Sequence, residues 1–287
     1  MTVLETTFSP LVLVFTVSNL AAMGLQVNLP DVMVTLRNKK SLALIFVWGW
    51  ILGPALGYLI TVILPLEEPY VIVVLLASLA PCAPFLQQMV GKANGDMGFA
   101  GALIPLVAVG TVVLMPLMAP FLIRGLTIDT WALAKPLLLT ILLPLIIGAV
   151  IRHYSDQAAT RIFPAVKGLA LLSTVLTIVW CLVLYGKGML NTAGELALLS
   201  MTLFMVGMAA ITYRLGFGLK QNQRSVMALG MGTRNVAAVL AAALAIPNAD
   251  PRILVMVVMW TLWSVVIAAI AARIFFKQSL LRKMRTH

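Results

Sequence analysis

The sequence predicts an all-α polytopic membrane protein, and three observations carry that prediction. Hydrophobic residues make up 62% of the 287 and charged residues only 10%, against roughly 45–50% and about 25% in soluble domains. Nine apolar runs follow one another, at 8–26, 41–64, 70–91, 97–123, 130–151, 168–186, 194–213, 225–246 and 253–276; a helix needs about 20 such residues to cross a bilayer. The connections are short and polar, so residues 1–287 read as a single transmembrane domain.

Taken in order, the first run is expected to be a permanent helix rather than a cleaved signal. Met1–Thr7 has no basic residue and carries Glu5, whereas a signal peptide opens on positive charge. Runs 1 and 2 are separated by Arg37-Asn38-Lys39-Lys40, runs 2 and 3 by Glu67-Glu68, and runs 7 and 8 by Asn222-Gln223-Arg224. After runs 1, 3, 5 and 7 and in the C-terminal tail stand fifteen basic residues: Arg37, Lys39, Lys40, Lys92, Arg152, Arg161, Lys167, Arg214, Lys220, Arg224, Arg273, Lys277, Arg282, Lys283 and Arg285. The opposite side has Arg124, Lys187 and Arg252. Cytoplasmic loops carry the Lys and Arg excess, so the N-terminus is expected outside and the C-terminus in the cytoplasm, in a bacterial inner membrane. The net charge of +11 thus reads as orientation in a lipid bilayer, not as nucleic-acid binding.

Little is left for catalysis or metal binding. Cys82 and Cys181 lie inside apolar runs, His153 is near a loop and His287 ends the chain. All nine carboxylates (Glu5, Asp31, Glu67, Glu68, Asp96, Asp129, Asp156, Glu195 and Asp250) fall in loops or at run ends. An enzyme would need a nucleophile–base pair or a metal cluster, and no run holds a central acid or histidine; no metal or other cofactor is implied.

Two runs are interrupted. Run 3 carries Pro81-Cys82-Ala83-Pro84 near its midpoint, and each proline removes an N–H and crowds the preceding turn. Run 8 carries Gly230-Met231-Gly232-Thr233-Arg234-Asn235, where two glycines predict local unwinding. Backbone freed at membrane depth needs protein or water partners. The two runs are an odd number of spans apart and therefore run in opposite directions. Matching breaks in such a pair are expected of an inverted repeat with a midplane site; the alternative is two simple proline and glycine kinks.

Arg234 is the charge nearest the middle of a run, whereas Lys135 lies near a run end and can snorkel. A central charge is a functional candidate by default, and a guanidinium fork suits a carboxylate, sulfonate or phosphate. Arg234 either binds an anion or ties together loose carbonyls of the broken helices. With Thr233, Asn235, Gln87 and Gln88 it makes the candidate substrate-binding set beside the breaks at Pro81, Pro84, Gly230 and Gly232.

At these residues the sequence resembles the bile acid:sodium symporter family. Met23-Gly24-Leu25 followed by Asp31, the stretch from Pro81 to Gly95-Asp96 with the helix containing Pro116 and Pro120, and Gly232-Thr233-Arg234-Asn235-Val236-Ala237-Ala238 carry the likeness. The resemblance implies a core of runs 2, 3, 4, 7, 8 and 9, a panel of runs 1, 5 and 6, and alternating access by movement of one against the other. It also exposes departures. Family sodium-site positions fall here on Leu86-Gln87, Ala100, Ile104, Gly230, Arg234 and Gly49, while Asn235 remains. The expected activity is therefore secondary transport of a small organic anion with sodium coupling doubtful, the guanidinium of Arg234 standing where cations sit in the symporters. The alternatives are sodium-coupled symport of a bile acid or other organic anion through other ligands, and metalloid efflux, for which distant arsenite permeases supply the parallel of Cys82.

Overall fold

The computed structural model describes residues 3–123, 129–194 and 196–285. Arg124, Glu195 and His287 lie outside the described residues, as do the side chains of Glu5, Cys181, Lys187, Arg282, Lys283 and Arg285. Among the described residues every regular element is helical. In chain order these are α1 (Val3–Gly24), α2 (Leu29–Arg37), α3 (Lys39–Ile63), α4 (Glu68–Ser78), α5 (Leu86–Lys92), α6 (Met97–Leu122), α7 (Thr130–Tyr154), α8 (Asp156–Gly194), α9 (Ala197–Arg214), α10 (Gln221–Gly232), α11 (Val236–Leu244) and α12 (Pro251–Arg285).

Six of these, α3, α6, α7, α8, α9 and α12, are long and apolar enough to cross a membrane, and α1 with α2 makes a seventh if that pair, bent by 81°, is one span. Runs 70–91 and 225–246 are each built of two short helices, α4 with α5 and α10 with α11, so neither is one continuous helix. Two other boundaries differ from the sequence reading. The stretch between runs 1 and 2 holds α2, with Pro30 and Asp31 in its first turn and Arg37 in its last. Proline is tolerated at a helix start, and the charges complement the helix dipole. Helix α8 begins at Asp156, well before run 168–186; its first turns carry the exposed polar residues Asp156, Gln157, Thr160 and Arg161, so they extend the helix without extending the apolar run.

α3 and α7 each contain a π-helical stretch, Val47–Leu52 and Leu138–Leu142, followed closely by Pro54 and Pro144. A proline cannot donate to the carbonyl one turn back, and a wide turn accommodates the loss. The N–H of Gly53 accordingly reaches the carbonyl of Trp48, and that of Leu143 reaches Leu138.

α1 packs along α7 and α8. A Cβ on Gly24 would come within 2.3 Å of the Leu145 carbonyl oxygen, and one on Gly148 within 2.6 Å of the Ala21 carbonyl oxygen; both glycines are what let the α1 and α7 backbones touch. Across α1 and α8, the hydroxyls of Ser18 and Ser173 lie 3.2 Å apart and Asn19 Nδ2 donates to Thr174 at 3.3 Å. The remaining helices gather around the two broken ones: α9 packs on α10 and α3, and α12 contacts α4, α5, α10 and α11.

Candidate functional site

The two interruptions lie side by side. Pro81 and Arg234 form an antiparallel bridge, in which Asn235 N–H donates to the Ala80 carbonyl at 2.8 Å and Cys82 N–H is shared between the carbonyls of Gly230 and Thr233, at 3.0 and 3.1 Å. Each break thus supplies the partners that the other's freed backbone requires. Side chains complete the knot. Thr233 Oγ1 donates to the Leu229 carbonyl at 2.8 Å and accepts from Ala83 N–H at 3.2 Å, and Asn235 Oδ1 accepts from Ala238 N–H at 3.3 Å as the cap of α11. Cys82 takes φ +68, a left-handed conformation uncommon for a non-glycine residue. Trp50, from the π-helical turn of α3, donates its indole N–H to the Leu79 carbonyl at 3.2 Å, just past the end of α4.

The glycines of the second break do something other than unwind the chain. Gly230 and Gly232 are still inside α10, and the extended backbone is Thr233 to Asn235. A Cβ on Gly230 would stand 2.9 Å from Cys82 Sγ and from Leu103, and one on Gly232 3.0 Å from Ala209. Their role is close packing of α10 on the first break and on α9. Gly49 likewise sits over the crossing, its would-be Cβ 3.5 Å from Pro81.

Arg234 is 0% exposed. Its guanidinium carbon lies 4.5 Å from the ring centre of Phe204, Nη2 donates to the Met231 carbonyl at the end of α10, and Nε and Nη1 are buried without a hydrogen-bond partner. The positive charge therefore sits at the negative end of the α10 dipole and over an aromatic face. The space beside it, between Val73, Ala77, Val239 and Trp260, is too small for a water molecule. Thr233 and Asn235 are 3% and 2% exposed. In this conformation none of the three faces a chamber that a substrate could occupy.

Gln87 and Gln88 are placed differently. They border a cavity of about 370 Å³ between α1, α5, the start of α6 and α8, together with Pro84. Its polar lining is completed by Asn19, Gln26 and Lys167, and its apolar lining includes Met23, Met97, Phe163 and Leu171. The structure thus divides the sequence-derived set: Arg234, Thr233 and Asn235 are internal to the crossing, while Gln87, Gln88 and Pro84 face the cavity. Lys167, Asn19 and Gln26 were not in that set. Their signal is helical spacing: Phe163, Lys167 and Ala170 stand at i, i+4 and i+7 on one face of α8, and Asn19 and Met23 at i and i+4 on α1, with Gln26 just past its end. Lys167 was hidden by being counted as a loop charge. Among the described residues no three His, Cys, Asp or Glu side chains come together as a metal-binding group.

A bundle of apolar helices around two interrupted ones whose breaks pair, with a cavity of mixed polar and apolar lining beside them, defines a class of polytopic helical membrane protein. The chain belongs to the Sodium Bile acid symporter family, whose sequence model matches residues 10–192. That match ends inside α8 and so includes α4 and α5 but not α10 and α11. A probable sodium/metabolite cotransporter, chloroplastic, BASS3 of Arabidopsis thaliana, is 23% identical over 231 residues, 78% of this chain. The chain spans about half the length of that relative, 53%.

Proposed function

We propose that this chain is a secondary transporter, not an enzyme, that carries a small organic anion by alternating access without sodium. The observation that carries the reading is the cavity beside the crossing. Amides and a single basic residue line it, no carboxylate is among its lining residues, and it lies where the α1, α7 and α8 group meets the first broken helix. In this reading the nine apolar runs are nine crossings and the two broken spans are halves of an inverted repeat. The moving panel is α1, α7 and α8, and the core is the remainder. The N-terminus is outside, the C-terminus is cytoplasmic, and the membrane is the bacterial inner one.

Sodium independence rests on the crossing. Around Gly230, where the family resemblance implies a sodium-liganding glutamate, the structure packs Cys82, Leu86 and Leu103, none more than 3% exposed. Ala100 and Ile104 are apolar and buried as well. Among the described residues, the full charge there is the guanidinium of Arg234, which supplies in fixed form the positive charge that converging helix ends favour. The printed name of the Arabidopsis relative, a sodium/metabolite cotransporter, favours a second reading in which backbone carbonyls alone hold the ion. The metalloid reading has only Cys82, a buried lone cysteine committed to packing on Gly230.

Thermal unfolding of the purified protein with organic anions, in sodium and then in potassium buffer, separates the readings, since a ligand of the folded state raises its apparent stability. Equal stabilisation in both buffers is expected. Stabilisation in sodium alone returns the coupled symporter.

A further inference from the structure

We infer that Lys167 is the charge-selecting residue of the cavity: it pairs with the carboxylate, or an equivalent single anionic group, of the transported molecule. The inference rests on the transport reading above and names the residue that reads the substrate's charge.

Four features of the cavity point to it. Lys167 is the one charged side chain in the lining, and it makes no ion pair with a carboxylate among the described residues. Its Nζ lies 5.5 Å from the ring centre of Phe163 one turn earlier on α8, a contact that holds the ammonium against the cavity wall. Among the described residues no side-chain hydrogen bond occupies Gln87 and Gln88 on α5 or Gln26 just past α1, and all three face the same space. An ammonium with free amides offers N–H donors to both oxygens of a carboxylate, while an unpaired cation in a half-enclosed cavity disfavours a second cation and gains nothing from a neutral ligand. The apolar side, Met23, Met97, Phe163 and Leu171, suits the body of an organic acid and not a bare inorganic ion.

The placement also bears on motion. Lys167 and Phe163 belong to α8, and Gln87 and Gln88 to the first broken helix. A carboxylate held between them bridges the two groups whose relative movement the transport reading requires. A lysine has a flexible stem and a point charge, so it can follow the anion through a change of shape where a guanidinium fork would impose one geometry.

The test uses the purified 287-residue chain and three monocarboxylates of rising size, acetate, benzoate and cholate, each beside its uncharged amide. The wild type is expected to be stabilised by at least one carboxylate and not by its amide. Lys167→Gln is expected to weaken that carboxylate by about threefold to fivefold, the scale of losing an exposed ion pair, and Lys167→Arg to retain most of it. Lys167→Glu is expected to reverse the preference, so that benzylammonium stabilises and benzoate does not. Lys167 is exposed, so the variants should fold, and unliganded melting temperatures check this. A Lys167→Gln protein that keeps wild-type affinity for the carboxylate overturns the role of Lys167 and leaves the anion reading standing. A wild type that no carboxylate stabilises overturns both. As an independent measurement, a thiol reagent should modify Gln88→Cys, and the carboxylate should slow that reaction in the Lys167 background but not in Lys167→Gln. Equal protection in both backgrounds also overturns the assignment.

Discussion

At the scale of single residues, Arg234 changes meaning between sequence and structure. A central membrane charge is legible in the sequence, and so is its neighbourhood of Gly and Asn. Whether the guanidinium points at a ligand or at its own helix is not, because that depends on how α9 and α12 close over it with Phe204 and Trp260. The structure gives it a shape-filling role as well as an electrostatic one, and variants separate the two. Arg234→Ala leaves a void against Phe204 and is expected to lose roughly 2–5 kcal/mol, the range of large-to-small core changes. Arg234→Met keeps the volume, discards two unpartnered buried nitrogens and is expected to melt close to the wild type. Melting curves of the two variants in detergent check this, and equal destabilisation would contradict it. Burial makes a second residue-scale prediction: a membrane-impermeant thiol reagent should label Gln88→Cys and leave Asn235→Cys unmodified, as measured by mass shift. The glycines differ between sequence and fold for a related reason. Gly230 and Gly232 signal backbone freedom in one dimension, but in the fold they mark where side chains of other helices press on α10. Gly230→Leu should therefore cost about 1–3 kcal/mol by overpacking.

At the scale of elements, apolar runs located the helices well, because hydrophobic length is a strong signal in a bilayer. They failed where polarity and helicity part company. α2 and the first turns of α8 are helical but too polar to register as apolar runs, and the proline-linked π turns of α3 and α7 leave no trace in hydropathy. α1 and α7 meet backbone to backbone at Gly24 and Gly148. Gly148→Val should therefore separate the helices and destabilise the protein by about 1–3 kcal/mol, while Gly168→Val on the open face of α8, where a Cβ meets nothing within 4 Å, should not. Thermal melting compares the two. Away from the crossing, Arg252 at the start of α12 bonds both Asp250 and Glu67 and so ties α12 to the segment before α4. The Arg252 guanidinium holds the Asp250 carboxyl below the usual carboxylate range. A depressed carboxylate stabilises the fold above its unfolded value and loses that contribution as pH falls through the folded one. The acid limb of a melting-temperature profile should therefore be shallower in Arg252→Ala than in the wild type; the effect is small because both partners are partly exposed.

At the scale of the whole molecule, the two breaks were legible as sequence interruptions, and their pairing through Pro81 and Arg234 explains how a helical bundle tolerates extended backbone in its interior. The cavity was only half legible. Gln87 and Gln88 were found because they follow a break, whereas Asn19, Gln26 and Lys167 come from helices distant in sequence and converge only when α1 and α8 pack beside α5. The proposed function joins these parts: a pair of breaks whose positive charge is built in, and beside it a cavity proposed to select an anion. The measurement that tests it most directly is uptake of the anion identified by thermal unfolding into proteoliposomes, with sodium or potassium as the only cation, for the wild type and Arg234→Gln. The account predicts equal wild-type uptake in both salts and a preference for sodium once the fixed charge is removed. Wild-type uptake that requires sodium would contradict it.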